Sequence, residues 1–178
     1  AELGSDLPFC VGGGTAIATG RGESLDPLPT LDSLYLVLAK YHSLSVSTPW
    51  AYRTYREQFS DTYISDPKNL NERRQRVHAG AIVSAIARQE GAEIGQLLHN
   101  DLEKVVLPAH PKVANLKTTL QSFDSLGVMM SGSGPTVFAL AASAEQAQHL
   151  QTQLRAAISD PDLGIWVAQT ISHGIQIA

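Results

Sequence analysis

Two apolar runs late in the chain, Val128-Met129-Met130 and Val137-Phe138-Ala139-Leu140, are joined only by Ser131-Gly132-Ser133-Gly134-Pro135-Thr136. A parallel partner strand would need a crossover of about a dozen residues or more. Two strands this close in sequence are therefore expected to be neighbours joined directly through the loop, which disfavours a doubly wound parallel sheet. The loop's composition also bears on function. Glycine lets main chain approach a ligand and adopt positive φ, and successive N–H groups pointing one way form a concave nest for phosphate or carboxylate. Ser131 and Ser133 add hydroxyl donors. Chain reversal alone draws on the same residue types. A hairpin needs only a two-residue turn, however, often Asn-Gly or Gly-Gly, so a longer Ser/Gly loop ending in proline exceeds that need and points to contact with an anion.

The remaining strands and helices interleave. Tyr35-Leu36-Val37-Leu38-Ala39-Lys40 reads as a buried strand, Thr136 to Ala141 as another and Ile165 to Ile171 as the last. Ser47 or Thr48 can cap a helix from Pro49 to Phe59, Pro49 falling in the first turn, where its missing N–H costs little. Asp66-Pro67 marks a turn in an irregular segment. Further helices are expected over Glu72 to Gln89, over Ile94 to Leu102, and after Pro111, where Val113, Leu116, Leu120 and Phe123 recur at helical intervals with Gly127 as a stop. A final helix is expected from Ala144 to Ile158. The pattern predicts an α+β fold: a ferredoxin-like mixed sheet with helices on one face.

Ahead of that core, Phe9 to Val11 and Thr15 to Thr19 read as short strands joined by Gly12-Gly13-Gly14, with a second turn at Gly20-Arg21-Gly22-Glu23. Asp26-Pro27-Leu28-Pro29 has linker character. A boundary near Thr30 to Ser33 would divide residues 1–32, a β-hairpin remnant of a nucleotide-binding domain, from residues 33–178. Cys10, in an apolar run, reads as a small core residue.

The 178 residues are 43% hydrophobic and 17% charged, which supports a sizeable core and argues against disorder. Thirteen basic and 17 acidic residues give a net charge of −4, a poor attractant for nucleic acid or anionic membrane. No apolar stretch reaches bilayer length and no signal-peptide pattern is visible, so a cytoplasmic protein without membrane or nucleic-acid partners is expected. The six histidines lack metal-ligand spacing, and no metal site built from protein side chains is predicted. Arg73-Arg74-Gln75-Arg76 reads as the solvated start of a helix.

Asp6 lies between Gly4-Ser5 and Leu7-Pro8-Phe9. Such an aspartate is most often a cap or turn residue. Beside a hydroxyl substrate, the same carboxylate can orient that hydroxyl and accept its proton during attack on phosphorus.

The Asp6 segment and the Ser/Gly loop together resemble the family of small-molecule kinases that includes galactokinase, homoserine kinase, mevalonate kinase and the cytidyl-methylerythritol kinases. The likeness runs through Leu3-Gly4-Ser5-Asp6-Leu7-Pro8-Phe9, then Gly13-Gly14-Thr15-Ala16 and Gly20-Arg21-Gly22-Glu23, then Ser47-Thr48-Pro49, and finally Met130 to Phe138. It is nearest to the branch that acts on a cytidine diphosphate conjugate.

That resemblance implies transfer of the γ-phosphate of ATP, with magnesium, to a hydroxyl of the methylerythritol part of that small-molecule conjugate, a step of non-mevalonate isoprenoid synthesis. It implies that Asp6 is the catalytic carboxylate and that Ser131, Gly132, Ser133 and Gly134 shape the phosphate site. Thr48 and Tyr52 would hold the cytidine substrate, with Tyr52 stacking on the base, and Arg21 would sit near the same pocket. Read without the family, the residues favour packing for Tyr52, with Thr48 then only a helix cap and Arg21 with Glu23 a solvated turn.

These kinases carry, upstream of the aspartate, a glycine/serine-rich phosphate loop that opens a helix, and an amino-terminal lysine. Neither is present in this sequence, which opens at Ala1 and runs almost at once into the Asp6 motif. The expectation is a carboxyl-terminal portion of such a kinase, inactive by itself and lacking the amino-terminal part of the same protein as its partner. Another kinase of the family, or a non-catalytic ferredoxin-like module whose loop binds an anionic effector, would share these features.

Overall fold

A computed structural model of the chain describes residue 4, residues 6–63, residue 72 and residues 75–176. Its centre is a four-stranded sheet of β3 (Tyr35–Tyr41), β4 (Gly127–Met130), β5 (Val137–Ala141) and β6 (Leu163–Gln169), in the order β4-β5-β3-β6. Every neighbouring pair is antiparallel, so within the expected ferredoxin-like class the sheet contains no parallel pair. β4 and β5 are adjacent, as the short Ser/Gly connection required. β3 lies between β5 and β6, with Tyr35 opposite both Ala141 and Gln169, and Ala39 opposite both Val137 and Ile165.

Period-two alternation assigns Val37, Ala39 and Tyr41 of β3 to one face, together with Val137, Ala139, Ala141, Met130 and Ile165. On this face pack α2 (Thr48–Gln58), α5 (Glu103–Ala109), α6 (Pro111–Gln121) and α7 (Ala144–Ala157), through Ala51 and Tyr55, Val105 and Val106, Val113, Leu116 and Leu120, and Ala147, Leu150 and Leu154. This is the main core. A smaller cluster on the opposite face joins Leu34, Leu36, Phe138 and Leu140 to Ala85 of α3 (Ala81–Ala87) and Ile94 of α4 (Gly91–Gln96).

Helix α4 approaches the sheet by backbone rather than side chain. A Cβ added at Gly95 would lie 1.9 Å from the Leu126 carbonyl oxygen, and one added at Gly127 would lie 2.3 Å from the Gly95 oxygen. Only glycine allows this contact, which sets where β4 begins.

The amino-terminal part differs from the sequence expectation. Leu7–Gly12 is a helix, α1, where a strand over Phe9 to Val11 was expected. Pro8 in its first turn presets helical φ without losing a needed N–H. Leu7, Phe9 and Val11 are 40%, 38% and 66% exposed, and Cys10, expected in the core, is exposed as well. The hairpin instead pairs β1 (Thr15–Thr19) with β2 (Ser24–Leu28) across the Gly20–Glu23 turn, so part of the expected linker is a strand. Pro27 is tolerated there because each strand of a two-stranded ribbon has an unpaired edge.

The expected Ile94 to Leu102 helix is replaced by α4, which ends earlier, and by α5, which the sequence reading did not contain. The long helix expected over Glu72 to Gln89 is interrupted at Gly80, the N-cap of α3. The Asp66-Pro67 turn lies outside the described residues, as do Arg73 and Arg74.

Two outcomes follow from this packing. Gly95→Ala should destabilise the fold by about 1–3 kcal/mol in urea unfolding, since a methyl cannot fit against a carbonyl oxygen; an unchanged midpoint would contradict the close approach. The second concerns Asp162, which accepts both the Ser43 hydroxyl and the Ser43 N–H at 2.9 Å, tying the end of β3 to the start of β6. The Ser43 hydroxyl bond is the main cause holding the Asp162 carboxyl below the usual aspartate range. A depressed folded-state pKa gives stability that is present above the unfolded value and lost as pH falls through the folded one. Asp162→Asn should therefore lower the unfolding midpoint at neutral pH, with the difference from the parent shrinking below about pH 4.

Candidate functional site

The Ser/Gly segment closes as a tight hairpin loop. The Ser131 N–H donates to the Thr136 carbonyl at 2.8 Å and the Gly134 N–H to the Ser131 carbonyl at 2.9 Å. Gly132 and Gly134 have φ of +54° and +78°, values that disfavour any side chain. A Cβ at Gly134 would also lie 2.7 Å from the Met130 sulfur, whereas one at Gly132 would meet open space. Among the described residues, the N–H groups of Gly132 and Ser133 donate to no protein group. They stand next to the exposed Ser131 and the half-buried Ser133. Bare amides flanked by hydroxyls suit an anionic oxygen group.

Helix α2 meets this loop. Ser47 is the cap, accepting the Trp50 N–H at 3.4 Å, and Pro49 occupies the first turn. Thr48 is thereby spared the capping role. Its Oγ1 lies 2.7 Å from Ser133 Oγ across 85 residues of sequence. Tyr52 lies one turn further on the same helix face and is 55% exposed, while Ala51 and Tyr55 are buried in the core. Tyr52 is therefore not the packing aromatic; Tyr55 is, stacked on Phe59 at 5.0 Å between ring centroids.

Asp6 stands elsewhere. Asp6 is the exposed N-cap of α1, and its side chain makes no capping hydrogen bond. The helix sits on the chain that leaves β6: the Ile175 N–H donates to the Cys10 carbonyl at 3.1 Å, and a Cβ at Gly13 would lie 2.0 Å from the Gly174 nitrogen. That chain departs from the Tyr35/Gln169 end of the sheet, whereas the Ser/Gly loop caps the Ala39/Val137 end. The structure does not bring Asp6 to the loop. Arg21 is exposed in the β1–β2 turn, where its N–H donates to Glu23 Oε2 at 2.6 Å.

Three residues that sequence reasoning missed support the loop. Asn100 Nδ2 donates to the Met130 carbonyl at 2.7 Å and to the Gly132 carbonyl at 2.8 Å, while its Oδ1 accepts the Leu102 N–H at 3.0 Å. Glu103 Oε1 accepts the Met130 N–H at 2.8 Å, and its other oxygen pairs with Lys117. The signal available was Asn100-Asp101-Leu102-Glu103, a polar opening to the apolar Val105-Val106-Leu107. Next to Asn100, the hydrogen bond from Lys104 is the main cause holding the Asp101 carboxyl below its ordinary range, and the same bond raises the Lys104 ammonium. Lys104 also lies over the rings of Tyr55 and Phe59, at 5.8 and 5.4 Å. Among the described residues, no group of three His, Cys, Asp or Glu side chains is placed to hold a metal ion, and no helix is long and apolar enough to cross a membrane.

Comparison with known proteins fits this arrangement. Residues 82–160 match the family model described as GHMP kinases C terminal. The chain is 59% identical over 175 residues to the 4-diphosphocytidyl-2-C-methyl-D-erythritol kinase of Gloeothece citriformis, covering 98% of this chain and 55% of that protein. A crystal structure of 4-(cytidine 5'-diphospho)-2C-methyl-D-erythritol kinase superposes with a TM-score of 0.66 at 29% identity, over 97% of this chain and 55% of that one. Homoserine kinase from Cytophaga hutchinsonii shares the fold, with a TM-score of 0.69 at 21% identity over 94% of this chain and 51% of that one. The chain spans about half the length of the curated relatives it matches. The ferredoxin-like sheet with the Ser/Gly hairpin at its end thus contains the segment, residues 82–160, that is similar to the carboxyl-terminal domain of the GHMP kinases.

Proposed function

We propose that the chain forms the carboxyl-terminal portion of an ATP-dependent kinase that phosphorylates a hydroxyl of 4-diphosphocytidyl-2-C-methyl-D-erythritol, a step of non-mevalonate isoprenoid synthesis. The observation that carries this reading is the hydrogen bond between Thr48 and Ser133. It joins, in one place, the helix assigned to the cytidine substrate and the loop assigned to phosphate. The Gloeothece citriformis relative, 59% identical over nearly the whole chain, supplies the substrate class.

In this reading the unengaged amides of Gly132 and Ser133 receive phosphate oxygens, with the Ser131 and Ser133 hydroxyls beside them. The donor would be ATP, accompanied by magnesium, and the nest fits a phosphate group by its donor set. Tyr52 offers an exposed ring to the cytosine, and Thr48 sits one turn before it. Asp6 would take the proton of the acceptor hydroxyl as that oxygen bonds to the γ-phosphorus and the bridging oxygen leaves with the nucleoside diphosphate. The roles of Asp6 and Arg21 rest on the sequence resemblance and not on the geometry described above. We place the domain division at residues 32 and 33. Because the chain spans about half of its relatives' length, the activity is assigned to the longer protein, and the 178 residues alone are expected to give no transfer.

The test is transfer of labelled γ-phosphate from ATP to the cytidine conjugate by the complete gene product. Tyr52→Ala should raise KM for the conjugate by about 5- to 150-fold, the range expected for losing one base stack, with KM for ATP little changed. Asp6→Asn should reduce kcat by about 10²- to 10⁴-fold. Phosphorylation of homoserine, mevalonate or galactose in preference to the conjugate would overturn the substrate assignment.

A further inference from the structure

Met130 ends β4, an edge strand of the sheet, and stands directly opposite Val137. The flanking Ser131 N–H is the one that reaches across to the Thr136 carbonyl, so the Met130 N–H and carbonyl point outward, away from β5. Met130 is fully buried, and its polar backbone groups must find partners other than a strand. Glu103 takes the N–H and Asn100 takes the carbonyl.

Asn100 does more than cover the edge. Both N–H bonds of its amide are used, one on Met130 and one on Gly132, and its oxygen is used on Leu102. With the Gly132 carbonyl drawn back onto Asn100, the peptide plane linking Gly132 to Ser133 is fixed, and the Ser133 N–H on that plane is turned the other way. Glu103 is held in turn by Lys117, both side chains being about 15% exposed. The clasp is thus itself anchored to α6.

We propose that Asn100, supported by the Glu103–Lys117 pair, is the positioning residue that presents the Ser133 amide to a phosphate group, beside a Gly132 amide whose peptide plane is set by the Gly134–Ser131 hairpin bond. The inference rests on the phosphate-site reading of the loop. Asn100 does not touch the anion; it sets the orientation of an amide that does. No other uncharged side chain of this reach supplies two donors and an acceptor, and aspartate, its isostere, would set a carboxylate against two carbonyl oxygens.

The test uses the 178-residue chain with ¹⁵N labelling, inorganic tripolyphosphate as the probe, and the variants Asn100→Asp and Asn100→Ala, at a temperature well below the unfolding midpoint of each. In the parent chain the Gly132 and Ser133 amide resonances should shift saturably with tripolyphosphate. In both variants the Ser133 amide should show increased fast motion in the heteronuclear NOE, and the Kd should rise by about tenfold or more, as expected for loss of two carbonyl contacts. Leu38 and Ala139 in the sheet should keep parental hydrogen exchange, a result a general loss of stability would not give. Parental loop dynamics and Kd in both variants would overturn the clasp. A loosened loop in the variants with no tripolyphosphate response in the parent would leave the clasp standing and sink the phosphate reading.

Discussion

The unpaired edge of β4 is the constraint on which the site depends. A buried edge strand must have its outward N–H and C=O groups satisfied, and a further strand is the usual solution. Here Asn100, between α4 and α5, and Glu103, the first residue of α5, do it. Because Asn100 and Glu103 are spent on Met130, the strand ends at a fixed residue, and the loop that follows starts from a fixed place. At the other end of β4 the Gly95–Gly127 contact performs the equivalent task through backbone alone. A four-residue strand is thus pinned at both ends by residues 95–103, and its short length is a consequence of that double attachment.

This explains why so much of the core was legible and so little of its support. β3, β5, α2, α6 and α7 follow from periodicity and capping, because their apolar faces are buried against one another and the pattern is written into each segment separately. Asn100 and Glu103 are invisible to that logic. Their meaning is a pairing with Met130, 27 to 30 residues away, and no local pattern encodes it. Leu7–Gly12 fails for a different reason. An apolar run of six residues is compatible with strand or helix, and the deciding term was Pro8 in the first turn, where it favours the helix. Within the candidate site, Thr48 and Tyr52 were legible as an (i, i+4) pair on one helix face, but their meeting with Ser133 across 85 residues was not.

The two halves of the phosphoryl-transfer assignment are secured by very different amounts of physical chemistry. The Ser/Gly loop is held by two backbone bonds across its own hairpin, by the Asn100 clasp and by Thr48, all on a scaffold whose inward side chains are fully buried. Positioning on that scaffold requires little further ordering, which is what an anion nest needs in order to bind without reorganisation. Asp6 has no such support. Its helix has six residues and no buried side chain, and a helix that short is marginal in water unless an apolar face is packed. Leu7, Phe9 and Val11 are each exposed and do not share a single side of the helix, so α1 is seated chiefly by the Cys10–Ile175 backbone bond and the close approach of Gly13 to Gly174. The Asp6 side chain makes no capping hydrogen bond that would fix it on this helix. The phosphate loop is therefore fixed by hydrogen bonds from three separate segments, whereas the proposed proton acceptor stands on a six-residue helix with no buried side chain and no capping bond, and any account of catalysis must treat the two as separately controlled.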